Sequence, residues 1–409
     1  MLLEDQNGNP LSGATAEGLG RYESALGLLR LFRNDPLAEA DAAIAAAPAM
    51  VMARVLKAWL LLLGTEPAGL APAREAFLSA VRLPATRREA QHLRALAVLL
   101  DGRWHEAARV LAELSREYPR DLLALQVGHQ LDFFTGESRM LRDRIAAALP
   151  AWRERDAGFH ALLGMHAFGL EECGQYTQAE GAGRWALDLE PRDAWAKHAV
   201  AHVMEMQDRR ADGVAWLRSA PEQWSNDSFL AVHLWWHLAL FHLGRGEAGE
   251  VLWLYDGALA PKEGGLVLEF IDASALLWRL LLRGIDVGDR WIALAERWRP
   301  LAGAGNYAFN DAHAMMAFVG AGRADDAASV LEAQREAMAR GGDNADFTRE
   351  VGHPVALGLQ AFGAGDFARC VALLRPLPKI AHRFGGSHAQ RAVIDETLAE
   401  AERRQRKAA

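Results

Sequence analysis

The chain has 409 residues, of which 51% are hydrophobic and 24% charged, with a formal net charge of −8 and a pI near 6.0. That balance suits a soluble chain with a sizeable core and argues against a general binder of nucleic acid or anionic membrane. Two cysteines, Cys173 and Cys370, exclude a disulfide framework and a cysteine-based zinc site. The opening MLLEDQNGNP lacks a basic segment followed by an apolar run. The longest apolar runs, such as 58–63, fall short of the roughly 20 residues a membrane span needs. The expectation is a soluble cytoplasmic protein that touches neither membrane nor nucleic acid.

In chain order, strand signals are almost absent. Apolar residues recur every three and four positions, as amphipathic helices require. Turns at 34–36 and Gly64 come first. A small-polar motif then recurs as GRWHEA (102–107), GQYTQA (174–179), GRADDA (322–327) and GDFA (365–368). Related turns fall near Gly136, Asp208, Gly244 and Gly284, and successive markers from Gly102 are 34, 38, 34, 36, 40, 38 and 43 residues apart. Pro119 lies fifteen residues after Trp104, and Pro191 fifteen after Tyr176.

This glycine–aromatic–alanine–proline pattern resembles the tetratricopeptide repeat, a helical hairpin with a period of about 34 residues. Each hairpin buries its apolar face only by stacking on the next. The expectation is an all-α fold: one α-solenoid over 1–409, of about nine degenerate repeats, closed by a capping helix from Gly386 to about Arg404. Three helix-rich domains are the alternative.

Six ordered segments carry a narrower resemblance. GMHAFGLEECGQYTQAE (164–180), DAWAKHAVAHVMEMQ (193–207), HLWWHLALFHLG (233–244), VGDRW (287–291), FNDAHAMMA (309–317) and FGGSHAQRAV (384–393) resemble the tetratricopeptide repeat protein 38 family. The resemblance spans about 150–395. It implies a helical-repeat fold whose first helices line a concave surface, and it implies no particular activity.

The repeat register picks out the candidate site. His198, His233, Asp272 and Asp311 lie ten, eleven, twelve and eleven residues before their turns, and His202 and His237 six and seven before theirs. His198/His202 and His233/His237 are i, i+4 pairs, about 5–6 Å apart at Cβ. Four imidazoles, with Glu205 one turn beyond His202, suit Zn²⁺, Fe²⁺ or Mn²⁺. The motif is neither H-E-x-x-H nor the E-x-x-H of di-iron bundles. Two other outcomes are open: a small-molecule or peptide pocket, and a structural network of hydrogen-bonded polar groups.

Other residues join the candidate set. Asp311 and His313 sit in FNDAH, where Asn310 or Asp311 reads most simply as a helix cap. Glu171 and Glu172 oppose the dipole at a helix end, which suggests a partner such as a histidine or Arg279 for one of them and solvation for Glu171. Ten of thirteen tryptophans fall between Trp185 and Trp298. Of the adjacent Trp235 and Trp236, one can pack while the other faces the groove, and Trp236 is placed with the ligand contacts. Arg391 stands one turn into the helix after FGGS, whose free N–H groups could take an anion, although capping by Ser387 is the plainer reading. Cys173 and His166 are too far apart for a thiol–imidazole pair. The loop GAGNYA (303–308) has no preceding strand and is not a dinucleotide fingerprint.

Two function classes follow. One is a binding protein that holds a small molecule or peptide in a concave groove. The other is a metal-dependent hydrolase or oxygenase built from the same residues. A homodimer is compatible with either.

Overall fold

The computed structural model describes residues 2–408, and its twenty-three α-helices follow one another with short connections. They are α1 (Ala16–Arg30), α2 (Pro36–Ala46), α3 (Val51–Leu63), α4 (Pro67–Ala80), α5 (Arg87–Leu100), α6 (Trp104–Glu117), α7 (Leu122–Phe134), α8 (Ser138–Ala148), α9 (Phe159–Glu172), α10 (Tyr176–Leu189), α11 (Ala194–Met206) and α12 (Arg210–Arg218). Then come α13 (Pro221–Ser225), α14 (Ala231–Gly244), α15 (Ala248–Leu254), α16 (Val267–Leu282), α17 (Arg290–Trp298), α18 (Ala308–Gly320), α19 (Ala324–Arg340), α20 (Asp343–Phe347), α21 (His353–Gly363), α22 (Phe367–Leu374) and α23 (His388–Ala408). One two-residue antiparallel ladder pairs Leu3 with Leu11 and Glu4 with Pro10, the only strands among the described residues. No described helix is long and apolar enough to cross a membrane.

The chain forms two compact units. The first takes residues up to Phe133, Glu137–Gln207 and Trp216–Ala231; the second takes Phe134–Gly136, Asp208–Ala215 and the residues from Val232 onward.

In the first unit, α1 packs on α2, α3 on α4, α5 on α6 and α9 on α10, and α9 also meets α8 and α11. The helices of a hairpin differ in kind. The second helix α6 buries Ala107, Val110, Leu111 and Leu114 along one stripe. The first helices α9 and α11 are buried on nearly every side. A helix covered all round places every polar residue it carries in the interior. That is why the histidines of these helices are buried.

A repeated turn ties successive first helices together. In both PRD segments, 119–121 and 191–193, the aspartate caps the next helix with one oxygen: Ala124 N–H donates to Asp121 at 3.0 Å and Ala196 N–H to Asp193 at 2.9 Å. The other oxygen takes a histidine from the preceding first helix, His92 at 2.9 Å and His160 at 2.7 Å.

In the second unit, α16 packs on α17 and α18, α18 on α19 and α21, and α21 on α22. The last helix, α23, lies against α16, α21 and α22, as a capping helix should. It is pinned by Trp278 Nε1–H to Thr397 Oγ1 at 2.9 Å and by Arg279 to Glu396 at 3.0 Å. The hairpin turns match the sequence markers with one adjustment: Gly244 ends α14, and Gly246, at φ 75°, makes the left-handed turn. Asp208 holds the left-handed conformation, φ 57°, where other repeats use glycine.

Candidate metal centre

The first unit supplies His198 and His202 on α11, both buried, with ring centroids 4.4 Å apart. Asp193 caps this helix and fixes its start. Trp195, one turn before His198, lies 4.8 Å from its ring, and Phe168 of α9 stacks on it at 5.4 Å. Phe168 also meets His202 edge-on at 5.3 Å. An acid stands behind the pair: Glu171 Oε2 is 3.7 Å from His202 Nδ1. Glu171, expected to be solvated, is 1% exposed, because α9 is covered along its whole length. Glu172 is buried beside it.

The second unit supplies His233 and His237 on α14, with ring centroids 4.9 Å apart. His233 Nδ1 meets both carboxylate oxygens of Asp272, on α16, at 2.9 Å. Trp236 stacks on His233 at 5.2 Å with the planes 13° apart, and meets His237 edge-on at 4.9 Å. Arg279 lies over the far side of this cluster, 5.6 Å from the Trp236 ring. Trp236 is wholly buried, so it serves as a wall for His233, and its neighbour Trp235 is the half-exposed one. Burial pushes the Asp272 carboxyl above the ordinary carboxylate range, against the pull of His233 and Arg279.

Within each unit the histidine pair, His198/His202 on α11 and His233/His237 on α14, places two buried rings at the i, i+4 spacing that suits metal ligands. Glu205 is half-buried at the end of α11.

Asp311 and His313 have other surroundings. Neither Asn310 nor Asp311 caps α18, because the helix starts at Ala308 after Tyr307. Burial raises the Asp311 carboxyl to about 7, opposed by Gln334 and Arg340. His313 donates Nδ1–H to the Phe309 carbonyl at 2.8 Å, and burial lowers its pKa to about 4. The pair points to different neighbours, as an i, i+2 spacing on a helix dictates.

At the start of α23, Gln390 N–H donates to Ser387 Oγ and Ser387 N–H to Gln390 Oε1, a reciprocal cap. Arg391 donates to the Gly386 carbonyl. Cys173 Sγ faces the Ser138 carbonyl at 3.4 Å rather than His166.

The sequence reading passed over His129. It lies seven residues before the Gly136 turn, the register of His237, on a helix with the same covered character. It meets Phe168 and Trp195 edge-on at 6.0 Å, and burial together with Arg144 lowers its pKa to about 3. The repeat register was the signal that could have found it.

No protein-family model matches this chain. Among solved structures it is similar to the TPR domain of P58(IPK), at 12% identity over 96% of this chain and 89% of that one, with a TM-score of 0.23. At that score the likeness carries no weight, and the helical-repeat reading rests on the hairpins and their turns.

Proposed function

We propose that this TPR-like helical-repeat protein binds a divalent transition metal through its buried histidine pairs, His198/His202 in the first unit and His233/His237 in the second. The observation that carries the reading is two buried i, i+4 histidine pairs, one in each unit, with ring centroids 4.4 Å apart for His198/His202 and 4.9 Å for His233/His237. Ligand nitrogens around a tetrahedral zinc stand about 3.4 Å apart, given Zn–N distances near 2.0–2.1 Å, so modest side-chain rotation brings both rings of a pair onto one ion. Each pair also has a buried carboxylate behind one of its rings, Glu171 for His202 and Asp272 for His233. Metal-binding histidines commonly have such a partner. The burial of these rings favours an enclosed ion over a peptide laid across a groove.

The donor set separates the finer readings. A zinc shell filled by protein ligands holds rather than catalyses. A six-coordinate iron or manganese keeps open positions for a small molecule, and the oxygenase or hydrolase reading goes with those metals. The six ordered segments from 164 to 393 support placing the chain with the tetratricopeptide repeat protein 38 family.

The test is elemental analysis of untagged protein beside a His202→Ala, His237→Ala double variant. The expected result is about one equivalent of zinc, iron or manganese in the wild type, lost in a variant that still folds. A wild type that stays metal-free after dialysis against each ion rejects the reading.

A further inference from the structure

We infer that Asp272 is the positioning residue of this centre: it holds His233 in the tautomer and orientation that present Nε2 to the ion. The inference rests on the metal-binding reading for its function, but its geometry stands within the second unit alone.

Three contacts immobilise the His233 ring. Asp272 takes Nδ1 with both oxygens at 2.9 Å, and rotation of the ring would break both contacts. Trp236 covers one face at 5.2 Å, nearly parallel. His237 closes the edge at 4.9 Å. A neutral imidazole has one N–H and one lone pair. With the proton fixed on Nδ1 by the acceptor, the lone pair is on Nε2, the nitrogen remote from Asp272.

Asp272 is itself held rigid. It projects from the interior of α16, fully buried, and that helix is locked to α23 by the Trp278–Thr397 bond and the Arg279–Glu396 ion pair. The corresponding acid of the first unit is looser, with Glu171 3.7 Å from His202. His233 is therefore the ligand with the shorter carboxylate contact, 2.9 Å against 3.7 Å for His202. Ordering of a ligand before the ion arrives removes a cost of binding, so loss of Asp272 should weaken the metal more than loss of Glu171.

The experiment compares wild type, Asp272→Asn, Asp272→Glu and Glu171→Gln. Zn²⁺ affinity is measured by competition with a chromophoric chelator, and the ligand field by the visible spectrum of the Co²⁺ form. The expected result is an affinity about 10–100-fold weaker in Asp272→Asn with a shifted Co²⁺ spectrum, a smaller loss in Glu171→Gln, and partial recovery in Asp272→Glu. Zn²⁺ bound equally well by Asp272→Asn, with an unchanged Co²⁺ spectrum, overturns the inference and leaves the metal reading intact.

A second measurement needs no metal and no variant. Histidine ¹⁵N shifts of the metal-free wild type should show the His233 proton on Nδ1. A proton on Nε2 overturns the inference even where Asp272→Asn fails to fold. A wild type that takes up neither Zn²⁺ nor Co²⁺ defeats the metal reading and, with it, the role given to Asp272.

Discussion

Two buried histidine–aspartate pairs, His92–Asp121 and His233–Asp272, have the same 2.9 Å contact and opposite surroundings. Asp121 also pairs with the buried Arg88 guanidinium at 2.5 Å and accepts the Ala124 N–H. Burial alone would raise its carboxyl, but His92 and Arg88 outweigh burial and hold it well below the ordinary carboxylate range. Asp272 has a histidine and only the more distant field of Arg279, and its carboxyl stays above that range. The first pair is a saturated clamp between α5 and α7. The second has no buried guanidinium paired with its aspartate. A His–Asp contact alone says nothing of function; the charge around the aspartate distinguishes a staple from a site.

The largest expected effect comes from breaking the clamp. Asp121→Asn leaves Arg88 buried without its counter-charge and gives up one of the two acceptor oxygens that serve His92, Arg88 and Ala124. Loss of one partner of a buried ion pair costs about 3–5 kcal/mol, and urea unfolding of the variant should show a loss of that size. A loss under about 1 kcal/mol would refute the clamp.

Asp311 extends the comparison to an acid with neither arginine nor histidine in contact. Burial holds its folded pKa at about 7, above the ordinary carboxyl value of 3.8, so the folded state prefers the protonated form. Stability from this group is fully present below about pH 4 and is lost as pH rises toward and through 7. Asp311→Asn removes that loss. It should stabilise the protein at pH 8 by about 2–4 kcal/mol, with a gain that shrinks on acidification to pH 4. Denaturation curves at the two pH values decide it, and an equal effect at both defeats the assignment of burial as the cause.

Much of this was legible beforehand, and the missing part has a physical reason. Turn glycines, the PRD exits and the three-four periodicity are local, so the hairpins and the capping helix could be placed from the sequence. His198, His202, His233 and His237 were found because the repeat register is also local. Glu171 and Trp236 were misread because burial is set by which neighbouring helix covers a face, and a single helix does not record that. Asn310 and Asp311 resembled caps because capping residues and buried acids share one chemistry. The start of α18 one turn earlier, at Ala308, decides between them. The carboxylates that meet His92, His160, His202 and His233 lie 29 to 39 residues away in the sequence, and periodicity does not choose among the carboxylates at that range.

A smaller effect is expected at Asp272. Among the described residues no guanidinium forms an ion pair with it, so Asp272→Asn leaves no buried cation without its counter-charge and weakens the hydrogen bond to a ring that remains packed on Trp236. The loss of stability should be about 1–2 kcal/mol, well below that of Asp121→Asn, while metal affinity falls. If both variants lose the same stability, the distinction between staple and site fails.

The smallest effect is expected at the second PRD turn. His160 Nδ1 meets Asp193 Oδ2 at 2.7 Å, shorter than either buried pair, yet the His160 side chain is 16% exposed and Glu190 and Arg192 stand nearby. Water reaches the ring, so its contact replaces solvation rather than making up for lost solvation. Asp193 keeps its cap to Ala196 whether or not the histidine is present. His160→Gln should therefore cost about 0–1 kcal/mol, as partly exposed pairs do, even though it breaks the same motif as His92→Gln. Equal losses for these two variants in parallel unfolding measurements would show that the PRD geometry itself, rather than burial and Arg88, sets the strength of the turn.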